Sequence, residues 1–216
     1  MNKKAIQLGC HDTKILNSTG LTAVGQLSTS YDFNIFTLQA SAYQEIANVW
    51  GQKSYNLHVL GQNARSLIVE TSVASPSIDN YYKILGGKTG TVGFIKNLTA
   101  IIYTNNEIFV ATIMRGSSDR FNDSKNETLK QNPASMMKVV TAIVMLENME
   151  NINNTITFNE SDFVGESGVK LKVGDKITMR DALYTMLLSS SNDTAKAVAR
   201  TIGHTINYNR MKNIIS

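Results

Sequence analysis

Three short stretches of this sequence carry residue types and spacings that can do chemistry. In Ser135-Met136-Met137-Lys138, after Pro133-Ala134, a serine and a lysine three positions apart share one face of a helix. Ser135 falls in the first turn, where unpaired N–H groups and the helix dipole favour developing negative charge. Lys138 falls one turn in, among apolar neighbours. Desolvation lowers a lysine's pKa, and a neutral amine there can take the serine proton and activate the nucleophile. Ser167-Gly168-Val169-Lys170 has the same spacing, but Gly168 argues against a helix. Read alone, Ser135 and Lys138 also describe a helix cap and a snorkelling lysine.

The second stretch, Ser190-Ser191-Asn192, lies in a break between two helical patterns. Its hydroxyl can relay a proton, and its carboxamide can hold both a lysine and a substrate amide. Such a cluster also caps helices. In the third, Lys88-Thr89-Gly90-Thr91, glycines 86 and 87 lead into a strand. Lys88 and Thr89 suit a carboxylate ligand, and Gly90 lets a substrate backbone approach closely. The N–H groups of Ser135 and Thr91 can form an oxyanion hole. Alone, this stretch is a glycine-rich turn into an exposed strand.

Positioning these residues falls to elements legible in the pattern. The segment Thr29–Trp50 has helical spacing of apolar residues. Residues 51–80 read as loop with a short strand or two. Three strands are expected over Lys83–Gly90, Leu98–Thr104 and Glu107–Met114, the last two joined by an Asn105-Asn106 hairpin turn. Residues 118–131 read as helix running into linker. Pro133 opens a helix over 135–149, apolar on nearly every face and therefore buried all round. Thr178 caps a second helix, Met179–Leu188, with Asp181 in its first turn. A third starts near Asp193 and is expected to stop at Gly203.

Composition narrows the possibilities. The 216 residues are 42% hydrophobic and 18% charged, enough for a buried core. A single cysteine, Cys10, excludes an intramolecular disulfide, and three scattered histidines exclude a zinc-type Cys/His cluster. The net charge of +4 suits an anionic surface such as a cell wall, but the scattered lysines form no nucleic-acid stripe. No nucleic-acid partner, metal or cofactor is expected. The longest apolar run, Val139–Leu146, is too short to span a bilayer. The Met1–Cys10 segment has the charge of a signal peptide without its apolar stretch.

Ser-x-x-Lys, Ser-x-Asn and Lys-Thr-Gly together form the signature set of active-site serine penicillin-recognising enzymes. The chain resembles the serine-type D-alanyl-D-alanine carboxypeptidases, the low-molecular-weight penicillin-binding proteins. Asn132-Pro133-Ala134-Ser135-Met136-Met137-Lys138 resembles the family's nucleophile segment, and the stretch from Leu171 to Leu183 its lead into the Ser-x-Asn helix. Asn192-Asp193-Thr194-Ala195 continues that helix. Met1–Ala5 and Leu8–Thr13 resemble the family's stretch after that helix, and Asn17-Ser18-Thr19-Gly20-Leu21 the loop beyond it.

The order differs from the family's, in which the nucleophile comes first and Lys-Thr-Gly last. Here Lys88 precedes Ser135, which precedes Ser190. The chain therefore reads as circularly permuted, with its termini expected close in space and the other join near Asn122 to Glu127. The family's first two strands have no counterpart, which leaves a sheet edge open to self-association.

The resemblance implies an α/β (α+β) fold of the β-lactamase/transpeptidase type: an antiparallel sheet flanked by helices, plus a helical subdomain. One permuted domain, 1–216, is expected, with a sheet part at about 81–131, the central helix region 132–150, and a helical part at about 151–216 joined with 1–50. It implies Ser135, Lys138, Ser190 and Asn192 as catalytic residues, and Lys88, Thr89, Gly90 and Thr91 as substrate-binding. The implied partners are a peptidoglycan peptide ending in D-Ala-D-Ala and β-lactams as covalent inhibitors, met outside the cytoplasm. Two alternatives stand beside this reading. One is a non-catalytic peptidoglycan-binding remnant. The other is a serine β-lactamase, for which Glu45 and Glu70 lack the Glu-x-x-Leu-Asn context.

Overall fold

In the computed structural model, residues 1–73, 82–116, 127–165 and 168–215 are described, with side chains up to 207. The main sheet grows from two tight turns. Asn105 and Asn106 both adopt left-handed backbone (φ 51° and 62°), as a two-residue hairpin demands. They join β4 (Ile95–Thr104) to β5 (Glu107–Gly116), with Thr104 opposite Glu107. Gly93 (φ 55°) turns β3 (Lys83–Val92) into β4. The sheet is antiparallel with order β3-β4-β5. Two smaller hairpins accompany it: β1 (Ser54–Val59) with β2 (Arg65–Glu70), and β6 (Thr155–Thr157) with β7 (Lys176–Thr178). A bridge between Leu60 and Lys176 joins them. With six helices among the described residues, the architecture is mixed α+β.

Helix α1 covers Asn2–Gln7. The expected helix over 29–50 is two helices, α2 (Ser30–Ser41), capped by the Thr29 hydroxyl on Asp32 N–H, and α3 (Gln44–Trp50). Tyr43 breaks them apart in an extended conformation, its hydroxyl donating to Glu147 at 2.6 Å. α2 lies on the inner face of the sheet. A chain of hydroxyls fixes it there: Thr37 to Thr99 at 2.6 Å and Thr99 to Thr112 at 2.7 Å.

Helix α4 (Lys138–Asn148) is central, as its all-round hydrophobicity implies. It divides the core. Val139, Ala142, Ile143 and Met145 join a large cluster with α3, with α5 (Met179–Leu187) and with α6 (Asn192–Ile215). Val140, with Met136 and Met137 just before the helix, joins a second cluster around Phe33, Phe36, Ala5 and Cys10. The first turn after Pro133 is a tighter 3-10 turn, Ala134–Met137, so Ser135 precedes α4 proper.

α6 does not stop at Gly203 but runs on to Ile215. No atom crowds that position, so glycine there carries only its propensity penalty of about 1 kcal/mol, and the apolar face of the helix overrides it. Met1 lies against this helix, sharing a cavity of about 180 Å³ with Val198, Ile202 and Ile206. The expected segment 118–126 and most of the proposed join at 122–127 lie outside the described residues.

The Thr178 side chain accepts from Asp181 N–H while the Asp181 carboxylate accepts from Thr178 N–H and Oγ. Thr178→Ala is expected to lower stability by about 1 kcal/mol, the usual worth of such a cap. Urea unfolding checks this; an unchanged midpoint would show that the cap is dispensable.

Candidate active site

Ser135 stands on a turn held from three sides. The Asn132 side chain accepts from Ala134 N–H at 2.9 Å, closing the turn before the serine. Asn97, on β4, donates to the Asn132 carbonyl at 3.0 Å. Ala134 itself is left-handed (φ 49°), a strained state for a residue with a Cβ. Two glycines make room for this turn. A Cβ on Gly90 would come within 2.7 Å of the Pro133 carbonyl, and one on Gly20 would run into the Ala134 carbonyl. The backbone that Gly90 admits is thus the chain's own Ser135 turn, against which β3 lies directly.

Lys138 is fully buried. Its Nζ lies 2.9 Å from Ser135 Oγ, 2.7 Å from Asn192 Oδ1 and 2.7 Å from the Thr19 carbonyl. As an ammonium, Lys138 donates to all three oxygens; as a neutral amine, it gives two N–H groups to Thr19 and Asn192 and turns its lone pair to the serine O–H. Burial pushes the Lys138 pKa well below the ordinary lysine value, and the charge of Lys88 adds to the effect. Asn192 is oriented in turn: its Nδ2 donates to the Gly165 carbonyl at 3.2 Å, leaving Oδ1 for the lysine.

Ser190 sits two residues before Asn192, half-buried and left-handed (φ 65°), in the turn between α5 and α6. Ser191 is buried and caps α6 through Thr194 N–H at 3.2 Å. Lys88 is fully buried on β3, its Nζ donating to the Thr89 carbonyl at 3.0 Å. The Thr89 hydroxyl pairs with Ser72 Oγ at 3.0 Å, and Ser72 N–H donates to the Leu188 carbonyl at 2.9 Å. Ser72 therefore ties β3 to the end of α5, next to the Ser190 turn. Thr91 is exposed, one step beyond Gly90.

Ser135, Lys138 and Asn192 thus form one hydrogen-bonded group, with the Lys88 charge acting on it. Several contributors carried no signal in the sequence. Thr19 acts through a backbone carbonyl, which any residue supplies. The Thr141 hydroxyl donates to the Ser18 carbonyl at 2.7 Å and holds that same loop. Gly20 belongs to the visible Asn-Ser-Thr-Gly turn, but only the fold shows what it approaches. Among the described residues no group of three or more His, Cys, Asp or Glu side chains can hold a metal ion. Nor is any helix among them long and apolar enough to cross a membrane.

Comparison with known families gives a match. The family model described as D-alanyl-D-alanine carboxypeptidase matches twice, over residues 1–118 and over residues 109–208. No curated protein and no solved structure matches the chain.

A buried amine leaves a signature in stability. Its folded pKa lies below the value of about 10.4 for a free lysine. Between the two values the unfolded chain binds more protons, so this group favours folding as pH rises and opposes it as pH falls. Lys138→Met removes that dependence. Its stability relative to the parent is expected to rise as pH is lowered from about 10 towards the folded pKa, measured by urea unfolding at several pH values. A difference independent of pH would mean that Lys138 keeps an ordinary pKa. Gly90→Ala is expected to displace the Ser135 turn, read as slower modification of Ser135 by a serine-directed reagent; an unaltered rate would count against the clamp.

Proposed function

The chain belongs to the D-alanyl-D-alanine carboxypeptidase family, and from that premise we propose that it is a serine acyl-transfer enzyme removing the terminal D-alanine from peptidoglycan stem peptides. The observation that carries this reading is the Lys138 amine, held dry and 2.9 Å from Ser135 Oγ.

Ser135 Oγ attacks the carbonyl carbon between the two D-alanines while its proton passes to Lys138 Nζ. The N–H groups of Ser135 and Thr91 receive the negative charge that develops on the carbonyl oxygen. The C–N bond then breaks. The leaving D-alanine nitrogen takes up a proton through the Ser190 hydroxyl, and the peptide remains on Ser135 as an ester. Asn192 positions Lys138 and the substrate amide. The Thr89 hydroxyl meets the terminal carboxylate, and the buried Lys88 charge draws it in from behind. Water attacks the ester, releasing the shortened peptide and restoring the Ser135 hydroxyl. A β-lactam takes the first half of this path and, its amine remaining tethered, departs slowly. The family works outside the cytoplasm, and we place this protein there.

The order Lys88, Ser135, Ser190 and the two family matches, meeting within residues 109–118, support a circularly permuted arrangement. The three-stranded sheet favours a second reading, a wall-binding remnant without turnover, which would bind muropeptides and release no D-alanine.

Mass spectrometry after penicillin treatment is the decisive test. One adduct on Ser135 is expected, absent in Ser135→Ala. A folded sample without an adduct, or an adduct that persists in Ser135→Ala, overturns the assignment. Acylation is expected to accelerate as pH rises through the lowered pKa of Lys138. Removing the neighbouring charge in Lys88→Met raises that pKa, so the midpoint should move to higher pH. A midpoint that stays put would separate Lys88 from the base.

A further inference from the structure

The Thr89 hydroxyl has a side-chain partner in the free protein. Ser72 Oγ lies 3.0 Å from Thr89 Oγ1. Thr89 is only 9% exposed, whereas Ser72 is exposed. Ser72 is held in place by groups other than that hydroxyl. Its N–H donates to the Leu188 carbonyl at 2.9 Å, at the C-terminal cap of α5 and two residues before Ser190. On one side of it Thr71 N–H donates to the Lys53 carbonyl at 2.9 Å, and on the other Val73 N–H donates to Thr71 Oγ1 at 3.2 Å. The backbone at Ser72 is therefore fixed before any ligand arrives, and only its hydroxyl has to turn.

Two hydroxyls carry two O–H donors. One is spent between Ser72 and Thr89, whichever way it points, and the other remains for a third group. A carboxylate only accepts, and its two oxygens can take both protons at once. Exchanging the Ser72–Thr89 bond for two charge-assisted bonds then costs only hydroxyl rotations. Lys88 is fully buried, and its amine donates to the Thr89 carbonyl at 3.0 Å, so the contact open to solvent falls to the hydroxyls.

We propose that Ser72 is a substrate-binding residue, forming with Thr89 a two-hydroxyl clamp on both oxygens of the ligand's terminal carboxylate. This rests on the reading above in one respect, that Thr89 meets that carboxylate. The clamp selects the free acid. A C-terminal amide is neutral and keeps one acceptor oxygen, so the charge-assisted pair is lost.

NMR titration of an acetylated tripeptide ending in D-Ala-D-Ala into Ser135→Ala, which cannot turn it over, tests the clamp. Adding Ser72→Ala should weaken binding of the acid by about tenfold, the usual worth of a hydrogen bond to a charged group. Ser72→Thr should keep it, and the amide-ended tripeptide should bind weakly with or without the Ser72 hydroxyl. Ser72 is exposed, so the urea midpoint should not change. An acid that binds equally without the hydroxyl, an equal loss for acid and amide, or an acid that does not bind Ser135→Ala at all overturns the proposal. Penicillin labelling of the unaltered chain keeps the two readings apart. A labelled Ser135 beside an acid indifferent to Ser72 removes the clamp and leaves acyl transfer standing. An unlabelled Ser135 in a folded chain removes acyl transfer, whatever Ser72 does.

Discussion

Everything in the site depends on keeping one amine away from water. Lys138 has no exposed surface, and its hydrogen-bond partners are a hydroxyl, a carboxamide oxygen and a backbone carbonyl rather than a carboxylate. A buried ammonium without an anion is expensive, and that expense moves the Lys138 pKa well below the ordinary lysine value. Placing a second cation, Lys88, within electrostatic range pushes in the same direction. The apolar surroundings therefore set the proton affinity of the amine. α4 runs between two hydrophobic clusters, and that placement is what dries its first residue.

The same demand explains where the backbone is strained. Ala134 and Ser190 are both non-glycine residues in left-handed conformation, one at each side of the group. Each costs about 1–3 kcal/mol, which the packing around it must offset. At Ala134 that packing is close enough that only glycines fit opposite, Gly20 and Gly90. At the Ser190 turn, Gly168 plays the same part, since a Cβ there would come within 2.5 Å of Ser191 Cα. Loops distant in sequence are thereby locked against the two strained turns.

What the sequence made legible was a group of side chains that the fold brings together, and the regular elements. Ser135, Lys138 and Asn192 were readable because the chemistry proposed for them requires particular side chains. The three strands and α5 came from alternation, the Asn105-Asn106 turn and the Thr178 cap. Less readable was anything decided by what lies opposite. The break at Tyr43 answers to a partner on α4, Glu147. The continuation of α6 past Gly203 reflects a position where nothing is missing for want of a side chain. The part played by Thr19 is a carbonyl oxygen, identical in all residues. Gly90 was legible as a point of close approach, but not as to whose backbone approaches.

The site is assembled from pieces far apart along the chain and fastened by bonds between them. Lys138 reaches Thr19 and Asn192, Thr141 reaches Ser18, and Asn97 reaches Asn132. These fastenings act between surfaces and do not depend on which loop joins which piece. Chain order enters only through the entropy of closing the loops, which grows slowly, by about 0.6 kcal/mol for each doubling of length. Rearranging the connections is then a small perturbation compared with burying Lys138. A permuted order is therefore compatible with this hydrogen-bonded group.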